Sequence, residues 1–316
     1  MELGYALSSE EHRPADLVRF AERAEAVGFK FALISDHYHP WVDQQGQSPF
    51  VWAVIGAIAQ ATSRLRLGTG VTCPIMRIHP AVIAQAAATA GSLMPGRFFL
   101  GLGAGENLNE HITGEHWPEG EVRLEMLAEA VAVIRLLWRG GEQSHRGPYF
   151  TVEQARIYTL PDELPPVLIA AGGERAAALA AQTDGMIGVA PDIELVRQFA
   201  ASGGKRKPRY GQVTVCYAGS EAEARKIACR CWPTAGLKGN LSWEIKTPSL
   251  FESAVKTVTE DDVAASITCG PDPRRHIEAI QKYVDAGYDH VYVHQVGPDQ
   301  EGFFRFYQER VLPHFT

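Results

Sequence analysis

The feature that most constrains the fold is a regular alternation of short apolar segments with longer amphipathic ones. Nearly continuous apolar runs of five or six residues predict strands buried on both faces, which is typical of parallel sheets covered by helices. The strands are predicted at residues 3–7, 31–35, 65–69, 98–103, 167–171, 185–189, 213–217 and 290–294. Helices are predicted at residues 14–27, 51–62, 80–93, 122–138, 174–183, 192–201, 220–231, 273–286 and 300–311.

Eight strand–helix units predict the α/β class and, within it, a single (β/α)8 TIM barrel. An open doubly wound sheet is the alternative architecture. The chain has 316 residues and no composition break or flexible linker, so we expect one domain over residues 1–316. Such a barrel takes about 250 residues, and the excess is assigned to insertions at the C-terminal strand ends, near residues 140–166 and 234–266.

Charge and composition exclude several classes of partner. The formal net charge of −7 provides no field for holding a nucleic acid. No apolar run reaches the roughly 18 residues that span a bilayer, and the N-terminus lacks the pattern of a signal peptide. The five cysteines are scattered without zinc-ligand spacing. We therefore expect a cytoplasmic protein with reduced thiols and no nucleic acid, membrane or metal partner.

The residues after the second predicted strand carry the strongest chemical signal. Active sites of (β/α)8 barrels lie at the C-terminal strand ends, and here an acid, two imidazoles and an indole follow in sequence: Asp36, His37, His39 and Trp41. A histidine at such a place can serve as a general base near neutral pH. The alternative is that both histidines are half-buried loop residues. No third ligand at suitable spacing accompanies them, so a metal site is not predicted.

Glycines follow three other strands. Gly68 and Gly70 permit close backbone approach or a simple turn. The fourth strand continues into alternate glycines and Glu106, which differs from the GxGxxG dinucleotide fingerprint. Glu106 could contact a ring nitrogen of a ligand or merely favour a helix start. Residues 171–173, Ala-Gly-Gly, precede a helix and could hold a phosphate or form a tight turn.

Taken in order, these strand-end segments resemble those of the luciferase-like oxidoreductases. More closely, they resemble the branch of glucose-6-phosphate dehydrogenases that use the deazaflavin coenzyme F420. The segments are SDHYHPW (35–41), GTGVTCP (68–74), LGAGENLNE (102–110) and IAAGGERAA (169–177). The first and third together are specific to the branch, whereas the others occur more widely, including in flavin-dependent relatives.

The resemblance implies coenzyme F420 as cofactor, lying across the barrel mouth beside a non-prolyl cis peptide. That peptide would join Gly70 to Val71. The other positions that match cofactor contacts are Asp36, Ala104, Gly105, Glu106, Asn107 and Asn109, with Ala171, Gly172 and Gly173 at the phosphate tail.

The resemblance also implies the catalytic roles. His37 would take the hydroxyl proton of an alcohol or hemiacetal as hydride passes to the deazaflavin, and Glu10 would hold that imidazole. Trp41 would stabilise charge developing at the reacting centre, and Glu106 would protonate the reduced ring. A homodimer is implied as well.

One departure from the branch bears on the substrate. The stretches expected to carry phosphate-binding lysines, residues 212–217 and 263–270, contain no Lys or Arg. Lys238, Lys246 and Lys256 in the second insertion could take the place of these lysines. Because a phosphate dianion needs such partners, the sequence predicts a neutral sugar or other alcohol rather than glucose 6-phosphate. Two alternatives stay open: an FMN-dependent luciferase-like monooxygenase, and a barrel that binds a cofactor or metabolite without turnover.

Overall fold

The computed structural model describes residues 1–239 and 241–315 and contains eleven strands in that part of the chain. The strands are β1 (Glu2–Leu7), β2 (Phe31–Ile34), β3 (Arg66–Thr69), β4 (Phe98–Leu102), β5 (Gln143–Arg146), β6 (Thr151–Ala155), β7 (Val167–Ala170), β8 (Gly185–Gly188), β9 (Arg209–Cys216), β10 (Thr268–Cys269) and β11 (His290–Gln295). The α-helices are α1 (Pro14–Val27), α2 (Val51–Ala61), α3 (Pro80–Leu93), α4 (Asn107–Glu110), α5 (Gly120–Leu137), α6 (Glu174–Ala181), α7 (Ile193–Phe199), α8 (Glu221–Cys231), α9 (Leu241–Glu244), α10 (Pro248–Ala254), α11 (Glu260–Ala264), α12 (Pro273–Asp285) and α13 (Gln300–Phe306).

Eight of the strands close into a parallel barrel. The order around it is β1, β2, β3, β4, β7, β8, β9 and β11, and β11 pairs back onto β1. Helices surround this barrel and pack their apolar faces against its outer surface. The predicted (β/α)8 barrel is confirmed. The open doubly wound sheet is excluded because β8 pairs with β9, which closes the sheet into a barrel.

Glycines on the strands make room for aromatic side chains inside the barrel. Phe31, Phe99, Tyr210 and Tyr292 belong to the interior cluster. A Cβ atom on Gly68 would lie 2.1 Å from Cε2 of Phe99. The interior is therefore filled to a density that only glycine permits at this position.

Two predicted elements differ from the observed ones by more than two residues at one end. β9 begins at Arg209, four residues before the predicted start, because the barrel interior accepts Tyr210 and the partly buried Gln212. These polar and aromatic residues interrupt the run of apolar residues from which the strand is predicted. The last helix, predicted as one element over 300–311, is α-helical only to Phe306 and continues as a π-helical turn, Tyr307–Val311.

The two predicted insertions contain regular structure that periodicity does not reveal. The first holds the antiparallel hairpin of β5 and β6, and the second holds α9, α10 and α11. Each of these elements is too short for a clear hydrophobic period. The assignment of residues 1–316 to one domain stays a prediction. Within the described residues, no helix combines the length and apolarity needed to cross a bilayer.

Candidate active site

The C-terminal strand ends of the barrel surround a cavity of about 1020 Å³. It brings together the four predicted catalytic residues, which come from the loops after β1, β2 and β4: Glu10, His37, Trp41 and Glu106. It is also lined by the predicted cofactor-binding residues Asp36, Gly70, Val71, Ala104, Gly105, Asn109, Ala171, Gly172 and Gly173.

His37 lies between two carboxylates. Its Nε2 atom is 3.3 Å from Oε1 of Glu10 and 3.4 Å from Oε2 of Glu106. Nδ1 lies 3.2 Å from the carbonyl oxygen of His39. Because a carbonyl can only accept, Nδ1 carries the hydrogen and Nε2 is the atom free to exchange a proton.

Glu10 is held firmly in place beneath this imidazole. Its Oε2 accepts hydrogen bonds from the hydroxyls of Ser35 at 2.6 Å and Ser8 at 3.1 Å. Burial acts to raise the pKa of Glu10, but His37 and the Ser35 hydroxyl outweigh it and lower that pKa below its ordinary value. Glu10 is therefore the carboxylate that stays ionised beside the histidine.

Glu106 has the opposite protonation tendency. Burial is the main cause of its raised pKa, and the nearby negative charges of Glu10 and Glu110 act in the same direction. The side-chain amide of Asn109 donates to its Oε2 at 3.1 Å. One carboxyl with a lowered pKa and one with a raised pKa thus flank a single imidazole, an arrangement suited to moving protons.

The two carboxylates also set the properties of His37. Burial alone would lower the pKa of the imidazole, but Glu10 and Glu106 outweigh that effect and raise it above the ordinary value. The imidazolium form is therefore stabilised once Nε2 has accepted a proton.

Trp41 forms an aromatic side of the cavity next to His37. The two ring centroids are 5.1 Å apart, and the indole also packs edge-on against Phe251 of α10 at 5.2 Å. Gln45 accepts a hydrogen bond from the Trp41 amide at 2.8 Å. The second insertion, through Phe251, therefore helps to fix the indole beside the imidazole.

Asp36 is engaged by two neighbours, although it lines the cavity. Its Oδ1 accepts from Arg77 at 2.8 Å and its Oδ2 from the hydroxyl of Thr72 at 2.7 Å. Arg77 also donates its backbone amide to Glu110 at 2.8 Å. Our sequence reasoning missed Arg77 and Glu110, because charged residues in a loop and a short helix give no sign of burial before the fold is known.

Asn109 connects the two loops that carry the site. Its Oδ1 accepts from the backbone amides of Tyr38 and His39, at 2.9 and 3.2 Å, while its amide donates to Glu106. Asn107 lies elsewhere: its amide donates to the carbonyl of Glu244, and the residue does not line the cavity. The structure therefore does not bring Asn107 together with the other predicted cofactor positions.

Small residues form one side of the cavity. Gly70, Val71, Ala104 and Gly105 contribute to it, and the peptide bond between Gly70 and Val71 is cis, as the family resemblance implies. A Cβ atom on Gly105 would lie 2.5 Å from Sγ of Cys73, and Gly105 has a φ of 77°. Only glycine fits this position.

The turn of residues 171–173 leads directly into α6. Gly173 precedes the helix and offers no side-chain cap. The first amide with an intrahelical acceptor is that of Ala177, which donates to Gly173 O at 2.9 Å. Arg175, in the first turn of α6, and Arg123 of α5 also line the cavity, and they pair with Glu121 and Glu244 respectively. Backbone amides at a helix start, with the Arg175 guanidinium in its first turn, are suited to an anion.

The opposite part of the cavity is lined by residues that sequence reasoning also missed. Gln212 and Thr214 on β9 and Tyr292 and His294 on β11 line it, together with Trp232. The alternation of side chains along a barrel strand could have identified them, since Tyr210, Gln212 and Thr214 share a face. Lys238, Lys246 and Lys256 do not line this cavity.

The sequence matches the family model described as luciferase-like monooxygenase over residues 1–290. The chain belongs to this family. The predicted membership of the luciferase-like family is thereby confirmed.

This luciferase-like protein is similar to proteins named F420-dependent glucose-6-phosphate dehydrogenase. The one from Microbacterium testaceum is 34% identical, with 99% of this chain and 97% of that protein covered. The Rhodococcus jostii protein is 36% identical, with 99% and 98% covered.

Two solved structures of proteins named as F420-dependent are also similar to this chain. An F420-dependent secondary alcohol dehydrogenase, in complex with an F420-acetone adduct, is 31% identical, with a TM-score of 0.91 and 98% of both chains covered. The coenzyme F420 dependent tetrahydromethanopterin reductase from Methanopyrus kandleri is 20% identical, with a TM-score of 0.81 and 100% of this chain and 99% of that chain covered. The second likeness shows the fold alone, whereas the first extends to sequence.

Proposed function

We propose that this protein is a coenzyme F420-dependent dehydrogenase that transfers hydride between a CH–OH carbon of an uncharged sugar or other alcohol and the deazaflavin. The observation that carries the proposal is the position of His37 Nε2, between the carboxylates of Glu10 and Glu106 in the cavity. The similar proteins named F420-dependent dehydrogenases support the choice of cofactor.

The residues present fit such a cofactor. A flat ring system needs a side of the cavity without long side chains, and Gly70, Val71, Ala104 and Gly105 supply one. A phosphate-bearing tail needs donors, and the uncapped amides before α6 supply them, with Arg175 nearby. When bound, coenzyme F420 would supply the deazaflavin that accepts the hydride released by the alcohol carbon.

His37 would act as the general base in alcohol oxidation. As the reacting carbon becomes a carbonyl, the hydroxyl proton passes to Nε2, because Nδ1 already donates to His39 O. Glu10 then stabilises the imidazolium from 3.3 Å. In carbonyl reduction, the same proton returns from Nε2 to the developing alkoxide.

Glu106 and Trp41 would assist this reaction. The raised pKa of Glu106 keeps a proton available at Oε1 or Oε2 for a basic ring atom, and Asn109 orients the carboxyl group. The Trp41 indole excludes water beside His37 and can stabilise positive charge that develops near its face.

The charges along the cavity support an uncharged substrate. Among its described lining residues, the guanidinium groups are those of Arg123 on α5, which pairs with Glu244, and Arg175 on α6, the helix that begins where the phosphate tail is expected. Strands β9 and β11 contribute Gln212, Thr214, Tyr292 and His294 to the cavity lining and no lysine or arginine. A substrate phosphate there would lose its hydration without gaining a cationic partner.

A binding and turnover experiment tests the proposal. Purified protein should bind coenzyme F420 at micromolar or lower concentration, measured by calorimetry, and should reduce it with an uncharged alcohol or sugar. His37→Ala should lower the turnover rate by about 10²-fold or more, with the variant still folded by circular dichroism. If the protein binds FMN more tightly than coenzyme F420 and consumes oxygen, the monooxygenase alternative would be supported. Tight binding of coenzyme F420, with a turnover rate that His37→Asn does not change, would support a non-catalytic barrel.

We also infer that the protein is a cytoplasmic homodimer. Exposed apolar side chains such as Phe50 and Val82 support self-association. The five free cysteines support a reducing compartment. Light scattering coupled to size exclusion tests the dimer, and cell fractionation tests the location.

A further inference from the structure

The side of the cavity formed by β9 and β11 carries four polar groups for which the proposed chemistry has no use. We call Gln212, Thr214, Tyr292 and His294 the polar wall. Their positions follow from strand register: Gln212 pairs with Tyr292, and Thr214 pairs with His294. All four line the cavity, so they present two successive layers of polar groups toward the bound substrate.

Two residues of the polar wall are buried and two are half-buried. Tyr292 is 2% exposed and His294 is 3% exposed. Among the described residues, no side chain or backbone group forms a hydrogen bond with the Tyr292 hydroxyl, the Thr214 hydroxyl or the Gln212 side-chain amide. Because these three polar groups face the cavity and are not used inside the fold, they are available to hydrogen-bond a ligand.

His294 is held in one tautomer by Glu11. Its Nε2 lies 3.1 Å from Oε2 of Glu11, and the other Glu11 oxygen accepts from the amide of Gly297 at 3.2 Å. Nε2 therefore carries the hydrogen, and Nδ1 is left as an acceptor suited to a hydroxyl donor. Trp232 packs edge-on against the imidazole at 4.5 Å and limits its movement.

The wall adjoins the reacting groups rather than lying apart from them. β11 pairs with β1, and the loop after β1 carries Glu10. Glu10, His37 and His294 all line the same cavity. A substrate whose hydroxyl reaches His37 would therefore extend toward the polar wall.

On the basis of the proposed function, we infer that the polar wall binds additional hydroxyl groups of the substrate, so that the substrate is a polyhydroxylated, uncharged molecule of the sugar class and not a monohydroxy alcohol. Each wall group can donate to or accept from a hydroxyl. The indoles of Trp41 and Trp232 offer apolar surfaces for the C–H faces of a sugar ring. A monohydroxy alcohol would use His37 and leave the wall unpaired.

The first test compares substrates and variants. With the F420-loaded enzyme, kcat/KM for a neutral aldohexose should exceed that for 2-propanol by about 10²-fold or more, since a site that binds hydroxyls discriminates against molecules without them. Tyr292→Phe and Thr214→Val should each lower the ratio of the two kcat/KM values by about tenfold or more. A merely structural defect would lower both values together. Tyr158→Phe, at an 83% exposed position, is the matched control and should keep the wild-type ratio.

The second test does not depend on turnover. A 1,5-anhydrohexitol, which lacks the oxidisable hemiacetal, should bind wild-type protein in calorimetry and bind Tyr292→Phe about tenfold more weakly. Anhydrohexitol binding together with no F420 reduction by any oxidisable sugar or alcohol would uphold the polar wall and overturn the proposed function. F420 reduction with 2-propanol at an equal or higher kcat/KM, with no anhydrohexitol binding, would overturn the polar wall and uphold the proposed function.

Discussion

Oε1 of Glu10 lies 3.3 Å from Nε2 of His37, although the two residues belong to loops after different strands. Both side chains are nearly enclosed, with exposures of 3% for Glu10 and 10% for His37. Because a buried ion pair loses its hydration, it persists only with additional hydrogen bonds, and Ser35 and Ser8 supply these to Glu10. The pair is therefore the electrostatic centre of the candidate site.

The rates of the two reaction directions should depend on pH with opposite signs. Alcohol oxidation needs neutral Nε2, and the pKa of His37 is raised above 6.5, so the oxidation rate should rise with pH through that raised pKa. Carbonyl reduction needs the imidazolium, so the rate of reduction should fall as pH rises over the same range. Glu10→Gln removes a charge that raises this pKa, so both limbs should move to lower pH. Rate–pH profiles in both directions check this, and unmoved limbs in the variant would contradict it.

Replacing Asn109 by alanine should reduce stability much more than replacing Asn107 by alanine. Asn109 is buried and joins Glu106 to the backbone of Tyr38 and His39, so Asn109→Ala should cost about 2 kcal/mol of unfolding free energy. It should also slow hydride transfer, because Glu106 loses its orientation. Asn107→Ala removes one exposed hydrogen bond to Glu244 and should change stability by less than about 0.5 kcal/mol. Urea unfolding measures both, and equal losses would argue against the role of Asn109.

Two glycine-to-alanine substitutions should change stability in opposite directions. At Gly68 a Cβ would lie 2.1 Å from Phe99 inside the barrel, so Gly68→Ala should destabilise the protein by about 1–3 kcal/mol through overpacking. Gly56 lies within α2, and an added Cβ there meets no atom within 4 Å. Gly56→Ala should therefore stabilise by about 0.5–1 kcal/mol. Thermal unfolding of both variants checks the prediction, which fails if Gly68→Ala is neutral.

His276 should make the fold sensitive to acid. It is fully buried, with Nε2 donating to Gly270 O at 2.8 Å and Nδ1 3.0 Å from the Tyr307 hydroxyl. Burial lowers its pKa from 6.5 to about 4, so the unfolded chain binds more protons between these values. Stability should therefore be lost as pH falls from about 6.5 to 4, by up to about 3 kcal/mol.

Unfolding free energies at several pH values test this dependence. His276→Gln should be less stable than wild type at pH near 7.5, because its packing and hydrogen bonds change, but should lose less stability on acidification. His314→Gln, at an exposed position, is the control and should keep the wild-type slope. An unchanged slope in His276→Gln would show that other groups cause the acid sensitivity.

Most of the barrel could be predicted from the sequence because burial on both strand faces leaves a clear apolar pattern. The bounds of α1 and α3 match the prediction, since Pro14 and Pro80 begin these helices. β9 is the exception, because Tyr210 and the polar Gln212 enter the barrel interior and cavity and interrupt the pattern. The hairpin of β5 and β6 was missed because its burial alternates over too few residues.

By itself, the sequence determined which segments form the barrel and which strand ends carry reactive side chains, since both depend on local order along the chain. Only the tertiary structure decided which of those side chains meet. It placed Glu10 and Glu106 on either side of His37, turned Asn107 away from the cavity, and brought the polar groups of β9 and β11 together. The physical reason is that burial, ion pairing and pKa depend on distances across the barrel, and these distances are set by strand register and packing rather than by neighbouring residues in the chain.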